Sequence, residues 1–265
     1  GIVLVYMDTQ LPPHAGIELG KSFLERGEYK TAHFLFHRTP YLFEDSGLCL
    51  GIADAYDRIG AFNEAELLVR EALAVAPDNP QLLIRSASYH EIKGNYEDAW
   101  QEYFRLYQLT LNSLSAPHEN SGNGQKTPVK NTQAEDRYFQ IALHGLLSTM
   151  AADKQAADTL HYFETSLDTL KQQDLKSDPI AYARLVRLWK DYEQICLARE
   201  DMTRLNKHVE PLVQKVLDKP ELLTEMIQNR LAGGDIKSAF DIAGKIDKKL
   251  WPRQLQWLSP DSLDT

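Results

Sequence analysis

Two histidines, His33 and His37, have the spacing best suited to chemistry in this sequence. On a helix, residues four positions apart lie on one face, where two imidazoles could share a metal ion. Both flank Phe36, which has the spacing of a packing residue, so we expect them on the outward side of their helix. The sequence offers no third ligand beside them. It therefore predicts solvated histidines, with no metal and no other cofactor.

The other titratable side chains show no catalytic pattern either. Glu64, Glu66 and Glu71 are expected on the solvated face of an amphipathic helix. His90 is expected to be a packed, hydrogen-bonded side chain. The sequence contains no Gly-rich phosphate loop, no GxSxG and no HExxH. These features predict that the protein is not an enzyme.

Composition narrows the class of protein. The 265 residues carry a net charge of −9 and are 43% hydrophobic, which suits one large domain, two small domains or a repeat array. The acidic balance argues against a general nucleic-acid binder, which needs an excess of Lys and Arg facing phosphates. The two cysteines, Cys49 and Cys196, have no CxxC or zinc spacing and are expected to be buried thiols.

The first residues bear on localisation. Gly1 is not an initiator methionine, and the apolar run at 2–6 is too short to span a membrane. No other stretch reaches transmembrane length, and no intact signal peptide is visible. We therefore expect a cytoplasmic protein. The alternative is the extramembrane domain of a membrane-anchored protein, whose anchor would precede Gly1.

A repeat is the strongest pattern in the chain. A glycine, an aromatic residue and an alanine return at an interval of 34 residues: Gly60, Phe62 and Ala65 recur as Gly94, Tyr96 and Ala99. A fixed period of this length indicates a repeat architecture. Two full frames cover 46–79 and 80–113, and a further frame begins near Pro13. Each frame is expected to pair small residues from its two helices, which lets the helices approach closely: Gly20 with Ala32, Ala53 with Ala65, and Ala87 with Ala99.

This set of small residues, turn glycines and closing prolines resembles the tetratricopeptide repeat (TPR) family over roughly 13–113. The resemblance implies an all-α fold, in which antiparallel helical hairpins stack in a right-handed superhelix. Its first helices would line a concave groove. Gly16 and Cys49 stand where the family usually has a bulky residue, and Pro40 cuts the second helix of the first frame short. The first hairpin is therefore expected to be the least regular.

Composition and periodicity divide the chain into five parts: an N-terminal extension at 1–12, three TPR-like repeats at 13–113, a flexible insert at 114–133, degenerate helical hairpins at 134–250 and a C-terminal tail or cap at 251–265. The insert is rich in Pro, Gly, Ser and Asn and has no apolar period, which predicts mobility and easy proteolysis. In the tail, Trp251 and Trp257 are expected to cover the open end of the array. The alternative is that they anchor a partner.

Three local signals place helices in the second half of the chain. Gly145 and Ala157 are predicted to form the small pair of a degraded frame. Asp178 followed by Pro179 predicts the start of a helix, with the aspartate as its N-cap. Gly234 is predicted to turn one further hairpin. The array is therefore expected to continue beyond the insert.

The repeat frame also assigns groove positions. Nine side chains are expected to face a partner: Ile17, Lys21 and Leu24 in the first frame, Leu50, Asp54 and Asp57 in the second, and Ile84, Ser88 and Glu91 in the third. Proteins of the family that clamp chaperone tails hold a terminal carboxylate with Lys, Asn and Arg at such positions. Here Asp54, Asp57 and Glu91 have the wrong sign for that role. An apolar floor with acidic walls suits an amphipathic or basic peptide segment instead.

The resemblance and the groove positions together predict a non-catalytic scaffold or adaptor. It would bind a peptide or partner subunit in a concave TPR groove within a multiprotein assembly, and it would not bind nucleic acid. One alternative is a regulatory or targeting portion of a larger membrane-anchored protein or enzyme. Another is a chaperone-like holder of secretion or assembly subunits.

Overall fold

The computed structural model of this protein describes residues 13–39, 42–114, 133–150, 153–173, 175, 178–213, 220–232, 234 and 236–245. Within these ranges the fold is all-α, with no strand, as the sequence predicted. A 3₁₀ turn spans Leu42–Glu44. The twelve α-helices of the described ranges are α1 Pro13–Glu25, α2 Tyr29–His37, α3 Ser46–Arg58, α4 Phe62–Val75, α5 Pro80–Ile92, α6 Tyr96–Ser113, α7 Gln133–Thr149, α8 Asp153–Lys171, α9 Pro179–Ala198, α10 Met202–Val213, α11 Pro220–Ala232 and α12 Ile236–Lys245.

Glycines turn four of the hairpins. Gly27, Gly60, Gly94 and Gly234 all have φ between 74° and 78°, a left-handed conformation that glycine adopts without a steric penalty. In each case the second helix begins two residues later. The predicted turn positions, including the one at Gly234, are confirmed.

Small residues bring the paired helices together. A Cβ atom on Gly20 of α1 would lie 2.4 Å from the Phe36 ring of α2, so no larger residue fits without a shift. The predicted alanines Ala53 and Ala65 are both fully buried. In the described residues α1 packs on α2, α3 on α4 and α11 on α12, which forms successive hairpins.

The predicted pair of Gly145 and Ala157 is wrong. A Cβ on Gly145 would meet the Tyr103 ring at 2.4 Å, so its close neighbour is an aromatic residue of α6. Ala157 is exposed on α8. The prediction was therefore right that Gly145 lies at a close contact between helices, but it named the wrong partner residue.

Helix starts follow the capping rules. The Asp178 carboxylate accepts from the amides of Ile180 and Ala181 at 2.9 and 3.1 Å, and Pro179 is the first residue of α9. Asn79 does the same for α5 with the amides of Gln81 and Leu82, again followed by a proline. These side chains satisfy backbone donors that have no partner within the helix.

The chain divides into two compact units. Unit 1 comprises Gly1–Thr110 and Gln133–Ala151, and unit 2 comprises Leu111–Thr132 and Ala152–Thr265. Unit 1 contains α1 to α5, most of α6, and α7. The core of unit 2 includes an ion pair between Arg230 and Glu193, in which both side chains are 1% exposed and the charged atoms lie 3.2 Å apart. Cys49 and Cys196 are buried free thiols, as predicted.

Several predictions concern residues outside the described ranges. They include the extension at 1–12, nearly all of the insert at 114–133, and Trp251 and Trp257 of the tail. They stay predictions. Among the helices that the structure describes, none combines the length and hydropathy needed to cross a membrane.

Candidate functional site

A groove of about 1430 Å³ runs across three helices of unit 1. Its walls come from α3, α5 and α7, which are alternate helices along the chain, and Phe62 is added from the start of α4. In the repeat frame α3 and α5 are first helices, and α7 takes the corresponding place after the insert. Each of these helices therefore contributes one face to a continuous surface.

Apolar side chains form the floor and the rim of this groove. Leu50, Ile84 and Ile141 line it from α3, α5 and α7 respectively. At the rim, Phe62 is 42% exposed and Ile92 is 64% exposed. Large apolar side chains left open to water next to a groove are typical of a surface that a partner covers.

A charged cluster crosses the groove between α3 and α5. The Arg85 guanidinium donates through Nη1 to Asp57 Oδ2 at 2.7 Å, and its Nη2 contacts Asp54 Oδ1. Burial lowers the pKa of Arg85, but the contacts with Asp54, Tyr89 and Asp57 outweigh burial, so the pKa is raised overall. Arg85 is therefore a permanent cation shared by two carboxylates.

Asp57 of α3 has a second partner in α5, Tyr89. The Tyr89 hydroxyl donates to Oδ2 and Oδ1 of Asp57, at 2.9 and 3.0 Å. Burial, and next the hydrogen bond to Asp57, raise the pKa of Tyr89, so the phenol stays protonated as a donor. Both oxygens of Asp57 are consequently engaged within the protein.

Glu91 also has partners within unit 1. The Tyr103 hydroxyl of α6 donates to Glu91 Oε2 at 2.9 Å, and the Ser148 hydroxyl of α7 donates to Oε1 at 3.1 Å. Glu91 therefore joins α5 to α6 and α7. Its carboxylate acts as a link between helices, and it does not line the groove.

The nine predicted groove residues divide into two groups. Five line the groove: Leu50, Asp54, Asp57, Ile84 and Ser88. The first frame contributes none of its three residues. Ile17 and Leu24 are 5% and 2% exposed, so they belong to the core, and Lys21 pairs with Glu18 on its own helix at 2.9 Å. This placement corrects the predicted extent of the groove, because Ile17 and Leu24 turn inward to pack and Lys21 does not line the groove.

Sequence reasoning missed the rest of the lining. Arg85 and Tyr89 reach the groove from α5, next to residues that were predicted. The third wall comes from α7, through residues that include Arg137 and Tyr138. The insert interrupts the 34-residue period before α7. The period therefore does not predict which residues of α7 face the groove. The apolar run that follows Tyr138 was the available signal.

The two histidines differ in exposure, since His33 is half-buried and His37 is exposed. The rings of His33 and His37 lie 4.1 Å apart, and His37 Nε2 lies 3.2 Å from Glu71 Oε2 of α4. Burial, and next the neighbouring His37, lower the pKa of His33. The predicted outward placement therefore holds for His37 and only in part for His33, and His37 also contacts α4 through Glu71. In the part of the chain that the structure describes, no group of three or more metal-type ligands comes together.

The remaining titratable candidates also contact neighbours. Glu64, Glu66 and Glu71 are half-buried, and Glu66 is paired with Lys93, the residue that follows α5. They therefore do not lie on a fully solvated face. His90 is half-buried as expected, with Nε2 3.7 Å from Glu102 Oε1, but its Nδ1 has no hydrogen-bond partner among the described residues.

Comparisons with known proteins add little. No family model matches this sequence, and a comparison with curated proteins gives no match. Among solved structures the chain is similar to the yeast protein described as "Crystal Structure of the Yeast Tom70", with 14% identity and a TM-score of 0.28. The match covers 92% of this chain and 63% of that chain, so this chain spans less than two thirds of its length. That likeness is too weak to support an argument, and the helical hairpins described above establish the fold.

Proposed function

We propose that this protein is a non-catalytic scaffold or adaptor of the TPR type. It would bind a segment of a partner protein in the groove formed by α3, α5 and α7. The observation that carries this proposal is the groove itself, where three helices of unit 1 present Leu50, Ile84 and Ile141 on one accessible surface. The partner belongs to a multiprotein assembly in this account.

The groove is held rigid before any partner arrives. Arg85 and Tyr89 tie α5 to α3, and Glu91 ties α5 to α6 and α7. A preformed surface avoids the entropy cost of ordering loops or side chains on binding. Covering apolar area would supply the favourable part of the binding free energy, and only its surplus over the cost of association would appear as affinity.

The exposed rim shows where a partner would gain most. Ile92 is 64% exposed and lines the groove, although a side chain of this size usually lies in the core. The same holds to a lesser degree for Phe62. A segment that crosses from the floor onto this rim would bury both residues.

The test is a selection of random displayed peptides on the full chain. Synthetic copies of the selected peptides are then titrated against wild type, Ile92→Glu and the matched control Val75→Glu. Val75 is 55% exposed on α4 and does not line the groove, so it reports on the generic effect of an added carboxylate. We expect about tenfold weaker binding to Ile92→Glu, a loss of roughly 1.4 kcal/mol, and unchanged binding to Val75→Glu.

Circular dichroism controls for folding of the three proteins. Two results would contradict the proposal. One is a selection that yields no binding peptide. The other is a set of peptides that bind folded Ile92→Glu as tightly as wild type.

A further inference from the structure

We infer that Asp54 selects the partner of this groove. The bound segment would carry apolar side chains next to one lysine or arginine, and that cation would pair with Asp54. This inference rests on the proposed function of the groove, and it names the chemistry of the occupant.

The cluster between α3 and α5 has an unbalanced charge. Arg85 is the cation of this cluster and is shared by Asp54 and Asp57, so the three groups together carry one excess negative charge. On α7, Asp136 and Arg137 add one charge of each sign to the lining. A groove whose charges are out of balance by one carboxylate favours a segment with one positive charge.

The excess negative charge is accessible at one residue, Asp54. The Asp54 side chain is 50% exposed and that of Asp57 is 21% exposed. Asp54 uses Oδ1 for Arg85, and its Oδ2 accepts no hydrogen bond from the residues that the structure describes. Asp57 has both oxygens occupied by Tyr89 and Arg85. A cation from outside can therefore reach Asp54 without displacing an existing contact.

Asp54 lies beside the apolar floor of the groove. Leu50 lies one helical turn before Asp54 on the same face of α3. Ile84 of α5 lies next to Arg85 in sequence and lines the same groove. A basic residue of the bound segment that pairs with Asp54 would thus have apolar surface beside it on two helices. The aliphatic stem of a lysine or arginine would cover that surface while its charged end meets the carboxylate.

The size of the effect follows from this exposure. A half-exposed ion pair in water contributes modestly and is screened by salt. Replacing Asp54 by asparagine should therefore weaken a basic peptide about three- to fivefold. The loss should shrink at high salt. An effect of this size is measurable by calorimetry or fluorescence anisotropy.

The experiment uses the selected peptides and copies in which their basic residue is changed to glutamine. Both are titrated against wild type, Asp54→Asn and the control Asp78→Asn. Asp78 is 62% exposed, pairs with Arg105 and does not line the groove. We expect Asp54→Asn to weaken the basic peptide and to leave the glutamine peptide unchanged. Asp78→Asn should change neither.

A charge swap makes the assignment specific. Asp54→Lys should bind the basic peptide more weakly than Asp54→Asn does, and a peptide with glutamate at that position should recover affinity for Asp54→Lys. Recovery supports direct contact between the two charges, because a merely unfolded variant would bind neither peptide.

The outcomes separate this inference from the proposed function. If peptides bind the groove but carry acidic or uncharged residues, or if Asp54→Asn binds the basic peptide as wild type does, the inference is overturned and the groove stands. An acidic preference would assign recognition to Arg85 or Arg137 instead. If no peptide binds, both the inference and the proposed function fall.

Discussion

The Tyr89 hydroxyl of α5 lies 2.9 Å from Asp57 Oδ2 of α3, so one phenol joins two successive hairpins. The Tyr89 side chain is 2% exposed, which shields this hydrogen bond from water. Arg85, one turn earlier in α5, approaches the same carboxylate. Repeats of this kind are stabilised by the interfaces between neighbours, so this contact should matter for the whole of unit 1.

Tyr89→Phe tests that contact, since it removes the hydroxyl and keeps the ring. Hydrogen bonds to charged groups contribute about 1.5–3 kcal/mol, so we expect the free energy of unfolding to fall by roughly that amount. Urea denaturation measures it. Tyr96→Phe is the control, because Tyr96 is 47% exposed, and it should have little effect. Equal stability of the two variants would show that the Tyr89 contact adds nothing.

Gly20 and Gly51 form a matched pair of helical glycines. A Cβ on Gly20 would lie 2.4 Å from the Phe36 ring, whereas a Cβ on Gly51 meets nothing within 4 Å. Gly20→Ala should therefore lower the free energy of unfolding by about 1–3 kcal/mol through overpacking. Gly51→Ala should raise it by about 0.5–1 kcal/mol, because alanine favours a helix. Thermal denaturation of both variants checks the signs, and a stabilised Gly20→Ala would refute the close approach.

The sequence correctly predicted those turns and close contacts between helices that depend on local backbone chemistry. The turn glycines Gly60 and Gly94 and the buried alanines Ala53 and Ala65 appear where the 34-residue period placed them, because a tight turn and a close helix approach leave few residue types to choose from. These constraints are readable without knowledge of distant neighbours.

The polar pairs of the groove could not be predicted in this way. Arg85 and Tyr89 lie 28 and 32 residues from Asp57, so only the packed hairpins bring them together. The sequence predicted the same role for Asp54, Asp57 and Glu91, as acidic side chains that face the groove. The structure separates them, because two are engaged by tyrosines and Asp54 keeps an accessible oxygen. Burial of Ile17 and Leu24 was also missed, since both faces of a short amphipathic helix carry apolar residues there.

One hairpin turn was missed because it contains no glycine. Glu200 has φ 57°, and the Asp201 amide donates to Cys196 O at 2.9 Å, just as the Ala61 amide donates to Tyr56 O at 3.0 Å after Gly60. α10 begins two residues after Glu200, the same interval as after the turn glycines. Glu200 thus occupies the position that glycine has in the other turns, although its side chain disfavours the left-handed conformation.

Glu200→Gly should therefore stabilise unit 2. Relief of the left-handed strain should outweigh the extra freedom of glycine in the unfolded chain, for a net gain of about 0.5–1 kcal/mol. The control is Glu28→Gly, since Glu28 follows a turn glycine at φ −89° and carries no such strain. Urea midpoints should rise for Glu200→Gly and fall slightly for Glu28→Gly. A fall in both midpoints would mean that Glu200 makes compensating contacts.

Glu102 on α6 gives unit 1 a dependence on pH. Burial raises its pKa to about 7, above the ordinary value of 4.5. The Ser86 hydroxyl donates to Oε1 at 2.8 Å, and Oε2 is buried with no hydrogen-bond partner among the described residues. The charged groups nearby are His90, Asp98 and Arg105. Because the folded protein holds this proton more tightly, the stabilising contribution is complete below about pH 4.5 and is lost as pH rises through 7.

Glu102→Gln should remove that dependence, since glutamine cannot ionise. Relative to wild type, we expect the variant to gain about 1–3 kcal/mol in free energy of unfolding between pH 5 and pH 8. Urea titrations at both pH values measure the gain. Glu97→Gln, an exposed site on the same helix, is the control and should track wild type. A difference between Glu102→Gln and wild type that stays constant with pH would contradict the role assigned to Glu102.

The most direct test of the account is isoleucine methyl NMR on the full chain, titrated with a selected peptide. Ile84, Ile92 and Ile141 line the groove, and their methyl signals should shift together and saturate at one dissociation constant. Ile195, Ile227 and Ile242 lie buried in unit 2 and should keep their positions. Shifts confined to these unit 2 residues, with the three groove methyls unchanged, would contradict the claim that the α3–α5–α7 groove binds the partner.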